Sequence, residues 1–196
     1  LYDPDFNDYA PDSYSCSLVS TMAHDLAAQA RALDTAWRTD FAPALRSAGA
    51  PGNARFLAPA EAERALFTQL HGGVEFNGDQ RLGLPLGTPD RPRPARAETW
   101  RAGRSLRNVT LSMAALHEMA TALADGPDAT LDAAFAAAEY FATGIADPAF
   151  QDIAEPQARL RLESLQGRIR AVGEALITRI GEAMGVAPGF NSLDGD

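Results

Sequence analysis

Lysine is absent from this 196-residue chain, cysteine occurs once, histidine three times, and no apolar run approaches the length of a membrane span. Each scarcity removes a class of explanation. All 17 basic residues are arginine, which points to a GC-rich source more than to a demand for guanidinium groups. Cys16 alone cannot close an intrachain disulfide, and Leu18 and Val19 beside it fit a packed thiol. A formal charge of -9 opposes nucleic-acid binding, because a polyanion is repelled everywhere except at a local basic patch. No glycine-rich phosphate loop, nucleophile elbow or zinc motif with two histidines on one turn is present. The chain opens on Leu1-Tyr2-Asp3 with no initiator methionine and no signal peptide, and it is expected to be a piece of something longer or a processed product.

What is there is alanine and a hydrophobic content of 46% that falls in short periodic clusters. Few residues are β-branched, so the pattern predicts helices and not sheet. Val19, Met22, Leu26, Ala30, Leu33 and Trp37 mark the inner face of a first helix, Ser13 to Trp37. A connection with Gly49, Pro51 and Gly52 follows. A second helix is expected from Ala60 to Gln80 with Leu66, Leu70 and Val74 inward, and its Gly72-Gly73 pair implies close approach by a neighbour. Prolines at 85, 89, 92 and 94 make residues 82-96 an extended strap. The third helix is expected over Ala97 to Ala124, on a seam of Leu106, Val109, Met113, Leu116, Ala120 and Leu123, stopped by Gly126-Pro127. A fourth carries Leu131, Phe135, Ala138 and Phe141. A fifth starts near Pro156 and turns Leu162, Leu165, Ile169, Val172, Leu176, Ile180 and Met184 inward, with Gly185 at its end. The expected fold is all-α: one antiparallel bundle of about five helices over residues 1-196, with the strap between the second and third.

Three constellations could carry chemistry. His71, Glu75 and Asp79 recur every four residues on the second helix, so an imidazole and two carboxylates descend one face, either as part of a divalent-metal site or as a salt-bridge ladder neutralised by Arg81. Arg101, Ser105, Asn108 and Ser112 form a polar stripe beside the third seam, with Arg104 and Arg107 flanking it. Six arginines between Arg91 and Arg107 either make an anion site or simply solvate the strap and pair with Asp90 and Glu98.

The run Gln80-Arg81-Leu82-Gly83-Leu84-Pro85-Leu86-Gly87, then Pro92-Arg93-Pro94 and Ser105-Leu106-Arg107-Asn108, resembles the imelysin-like proteins, as does the tail from Gly189 to Asp196. The resemblance implies the second half of a two-lobed helical protein, periplasmic or anchored to the bacterial envelope as a lipoprotein, and tied to iron uptake. Its partners would be the N-terminal half of the same protein and an iron-uptake system, with no nucleic acid and no transmembrane segment in this chain. It places a site between the halves, to which Glu75, Asp79, Arg81, Arg104, Ser105 and Asn108 would contribute ligand-binding groups. Iron or zinc is the metal to consider, with His71 and Glu75 as the candidates for ligands here. The family's Gly-x-His-x-x-Glu motif is absent from these residues, so the implied role is a binding or accessory protein. The alternative is a metallopeptidase whose metal ligands come mainly from the missing N-terminal half. The two acidic residues of the second helix are expected to face Arg104, Ser105 and Asn108 across one cleft.

Overall fold

Ser13 opens the first helix by accepting a hydrogen bond on Oγ from the Cys16 amide at 3.1 Å, which satisfies one of the amides that a helix start leaves free. The computed structural model describes residues 9–185 and is helical, with seven α-helical segments among them: α1 (Tyr14–Ala36), α2 (Ala42–Arg46), α3 (Pro59–Glu75), α4 (Leu84–Leu86), α5 (Ser105–Leu123), α6 (Ala129–Thr143) and α7 (Pro156–Leu176). The expected all-α class is borne out. Among the described residues the sole β pairing is an isolated bridge between Thr88 and Arg91. The Leu1-Tyr2-Asp3 start and the Gly189 to Asp196 tail lie outside the described residues.

Where the sequence reading takes residues 1-196 as one bundle, the chain divides into two compact units, Leu1–Ala62 and Glu63–Asp196. In the first unit, α1 continues through a π-helical turn, Trp37–Phe41, into α2. The apolar stripe of α1 is present as read, yet it is not a core face: Leu26 and Leu33 are 69% and 71% exposed. Periodicity locates an amphipathic face, and only a partner surface buries it.

The second unit is built on a ring of four helices. Gly73 of α3 lies against Leu116 of α5, and Asn77 reaches Ser112. His117 of α5 meets Asp132 of α6, while Leu106 at the start of α5 donates its amide to Pro148 just beyond α6. Asp128 before α6 meets Arg179 beyond α7, and Asp79 meets Arg170 of α7. Arg168 of α7 lies over Phe141 of α6 and Gly173 of α7 beside His71 of α3, so the pairings run in opposite directions along each neighbouring pair and the four helices are antiparallel. Phe67, Leu70 and Val74 from α3, Val109 and Met113 from α5, Leu131 and Phe135 from α6, and Leu162, Leu165, Ile169, Val172 and Leu176 from α7 fill the interior. Each such side chain contributes about 1.5–3 kcal/mol on burial. The expected close approach at Gly73 is real: a Cβ there would stand 2.7 Å from Leu116 Cδ2.

Two boundaries differ from expectation. Residues 82-86 are not extended strap, because α3 runs on as a π-helical segment, Phe76–Gly83, and then as α4. Leu82 and Leu86 are 0% and 2% exposed, and their burial outweighs the helix-breaking tendency of Gly83 and Pro85. The strap therefore starts at Gly87, whose φ of +53 and whose close approach to the Arg91 carbonyl require glycine. The third long helix starts at Ser105 and not at Ala97, because Thr99 and Gly103 adopt left-handed φ values of 53 and 63 that interrupt any α-helix.

Candidate functional site

The widened segment Phe76–Gly83 is where α3, α5 and α7 bring polar groups together. A π-helix closes its hydrogen bonds over five residues, spreading the backbone and often marking a functional position. Here the opening is stabilised from α7. Gln166 donates from Nε2 to the Gly78 carbonyl at 2.8 Å, and Ile169 packs beside Gly78.

Arg81 is the hub. Its Nε donates to Glu98 Oε2 at 2.6 Å, its Nη1 donates to Asn77 Oδ1 at 3.0 Å and to the Asn108 carbonyl at 3.3 Å, and its guanidinium lies 5.1 Å from the centre of the Phe76 ring. Asn77 is fully buried and donates from Nδ2 to the Gly73 carbonyl at 2.8 Å and to Ser112 Oγ at 2.9 Å. A buried amide is tolerated only when its bonds are made, and this one is a bridge from α3 to α5. Asn108 donates from its side chain to Thr99 Oγ1 at 3.1 Å. Ser105 is 2% exposed and its hydroxyl donates to the Glu98 carbonyl at 2.7 Å, so it fixes the turn that delivers Glu98. Arg104 is exposed at the N-cap of α5.

Arg81 thus meets the Asn108 backbone, and Ser105 is linked to Arg81 through Glu98. The acidic residues do not join them in the expected way. Asp79 turns to α7 and accepts from Arg170 Nη2 at 2.9 Å. Glu75 lies beside buried His71, with Oε2 3.5 Å from Nδ1. Arg81 neutralises neither of them and is matched to Glu98 instead. The physical reason is that His71 packs beside Gly173 and Asp79 reaches Arg170, both of α7, while Asn77 and Arg81 follow the face toward α5. Glu98 likewise pairs with no strap arginine, contrary to the solvating account of the strap.

As a metal site the described residues are incomplete. His71 and Glu75 supply two donors, whereas no group of three or more His, Cys, Asp or Glu able to hold an ion occurs among the described residues. The donor set of the described residues does not by itself fit a resident iron or zinc ion. What the Arg81 network can do is hold a charged, oriented wall: an ion pair half open to solvent through Glu98, with amide groups fixed beside it.

Asn77 and Glu98 are the parts that spacing did not single out. Asn77 had a signal, since it is a polar residue between buried Val74 and Leu82, four positions from both Gly73 and Arg81. Glu98 is read from the sequence only as a partner of the strap arginines, and its pairing with Arg81 has no signal there because it spans separate segments. Among the described residues no helix is long and apolar enough to cross a membrane. No curated protein and no solved structure matches the chain. The family model described as Imelysin matches residues 1–176, which is most of the sequence, and the chain belongs to the imelysin family.

Proposed function

We propose that this chain is the second half of a two-lobed binding protein of the bacterial periplasm or envelope, serving iron uptake, with the Arg81 wall facing its ligand. One observation carries the reading. Arg81 is anchored by Asn77, Glu98 and Asn108 and by the Phe76 ring, so several residues from three segments are spent on orienting one guanidinium beside a solvent-exposed carboxylate. Such preorganisation lowers the ordering cost of binding and is more than packing alone requires. Glu98 and Asn108 then offer an acceptor and donors to an iron complex, and Glu75 with His71 adds a second polar patch on the same helix.

The test is titration of the complete two-lobed protein with iron(III) and with zinc, comparing wild type with Glu75→Ala and Asn108→Ala. At least a tenfold loss of affinity in one variant, about 1.4 kcal/mol, is expected. Unchanged binding in both variants reduces these residues to structural contacts. The 3.5 Å approach of His71 to Glu75 also favours a second reading, in which the pair supplies part of a metallopeptidase zinc site completed from the other half. Zinc-dependent peptide cleavage by the complete protein, lost in Glu75→Ala, would select it.

A further inference from the structure

The strap arginines are left over by everything described so far. Between Asp90 and Arg107 six arginines stand against two carboxylates, so this stretch carries +4 and the rest of the chain -13. None of the six, Arg91, Arg93, Arg96, Arg101, Arg104 and Arg107, enters an ion pair among the described residues, whereas Arg38, Arg55, Arg81, Arg159, Arg170 and Arg179 all do. The two carboxylates of the stretch do not relieve them: Glu98 is taken by Arg81, and Asp90 enters no ion pair among the described residues. Like charges held close on one exposed segment repel, and an acidic protein has ample carboxylates with which to neutralise them.

The strap is also held in place. Arg93 donates its amide to the Pro85 carbonyl at 2.8 Å, and Arg91 donates its amide to Thr88 at 3.0 Å. Arg159 of α7 grips the Leu86 and Thr88 carbonyls at 2.8 and 3.3 Å, and Gln151 grips the Pro94 carbonyl at 3.1 Å. Pro92 and Pro94 restrict the backbone between the arginines. The segment Arg91 to Arg96 curves round an open hollow of about 580 Å³ lined by its own residues.

We propose that Arg91, Arg93 and Arg96 form a binding site for a small polycarboxylate anion. A planar guanidinium takes a carboxylate through two parallel hydrogen bonds, and three forks on a braced strap match a ligand with several carboxylates better than a single compact anion. A long polyanion is disfavoured because it would have to run over the acidic remainder, which a small ligand avoids. The site is separate from the Arg81 wall and stands whether or not that wall takes iron.

The experiment is calorimetric titration of the 196-residue chain with citrate, inorganic phosphate and acetate at low ionic strength. Citrate should bind at least about tenfold more tightly than either of the others, and the binding should weaken as salt is raised. Replacing Arg91, Arg93 and Arg96 together by Gln should weaken citrate about tenfold or more, while the charge-matched set Arg31→Gln, Arg38→Gln and Arg46→Gln should leave it within about twofold. Circular dichroism confirms that both sets fold. Equal loss in the two sets, phosphate or acetate binding as tightly as citrate, or no citrate binding at all would overturn the assignment.

Discussion

Replacing Asn77 by alanine removes the amide that links α3 to α5 and orients Arg81. The side chain makes two neutral hydrogen bonds, to the Gly73 carbonyl and Ser112 Oγ, and accepts a third from the Arg81 guanidinium. A neutral bond contributes about 1 kcal/mol net and one from a charged donor about 1.5–3 kcal/mol. Arg81 keeps its bonds to Glu98 and the Asn108 carbonyl, so part of the charged contribution survives. Because Asn77 is fully buried, water does not readily replace the lost partner. The expected cost is about 3 kcal/mol, which for a chain of this size lowers the melting temperature by roughly 10 °C. Urea unfolding followed by circular dichroism measures it. Ser112→Ala should cost about 1 kcal/mol by itself, and the double variant should fall short of additivity because the two substitutions remove one shared bond. A cost below about 0.5 kcal/mol for Asn77→Ala would refute the view that this bridge holds the site together.

Further outcomes follow from single positions. Gly73→Val should destabilise by about 1–3 kcal/mol, seen as a lower urea midpoint, since even a Cβ meets Leu116 at 2.7 Å. Gly87→Ala should cost about 1–3 kcal/mol and increase protease cleavage in the strap, because φ is +53 and the Arg91 carbonyl blocks the new methyl. The Arg179 side chain bonded to Asp128, with the Leu131 amide adding to it, holds that carboxyl below its ordinary value of 3.8. A depressed acid stabilises the fold above its unfolded pKa and loses that contribution as pH falls through the folded one. The stability difference between wild type and Asp128→Asn should therefore be level near neutrality and close below about pH 4, in urea midpoints taken across pH. Burial, then the charge of Asp147, raises the Asp152 carboxyl, so folding penalises its charged form relative to the unfolded chain. Asp152→Asn should unfold no earlier than wild type at pH 7, and its advantage should fade as acid protonates the native residue.

The parts of this fold that could be read from the sequence are those governed by one helix at a time. The inward face of α7, from Leu162 to Leu176, is buried as its spacing predicts, and the α5 seam is equally direct. The α1 stripe was just as regular, but nothing within its own pattern says whether a partner covers it. Gly83 and Pro85 read as breakers, yet the helix continues through them. Gly83 allows Gln166 to approach, and the burial of Leu82 and Leu86 outweighs the amide that Pro85 lacks. Ala97 to Arg104 read as helix because alanine and arginine favour it, and the left-handed Thr99 and Gly103 overrode that preference. The site follows the same division. His71 to Glu75 is a contact within one helix and was visible as spacing, whereas Arg81 to Glu98 and Asp79 to Arg170 join separate segments and required the packing.

The π-helical segment makes this site sensitive to chain length more than to residue identity. A π-turn holds one residue more than an α-turn, so deleting one residue between Phe76 and Gly83 would close the segment to α geometry with its flanks nearly in register and erase the widened turn that carries Asn77 and Arg81. Arg81 would lose its alignment with Asn77 and Glu98, while Leu82 and Leu86 would keep their side of the helix. Relatives that keep every polar residue but lack one position here would have lost the register of the hub. Relatives that keep the length can vary individual side chains and retain its geometry, so gaps across residues 76-83 are a better guide to shared function than matches are.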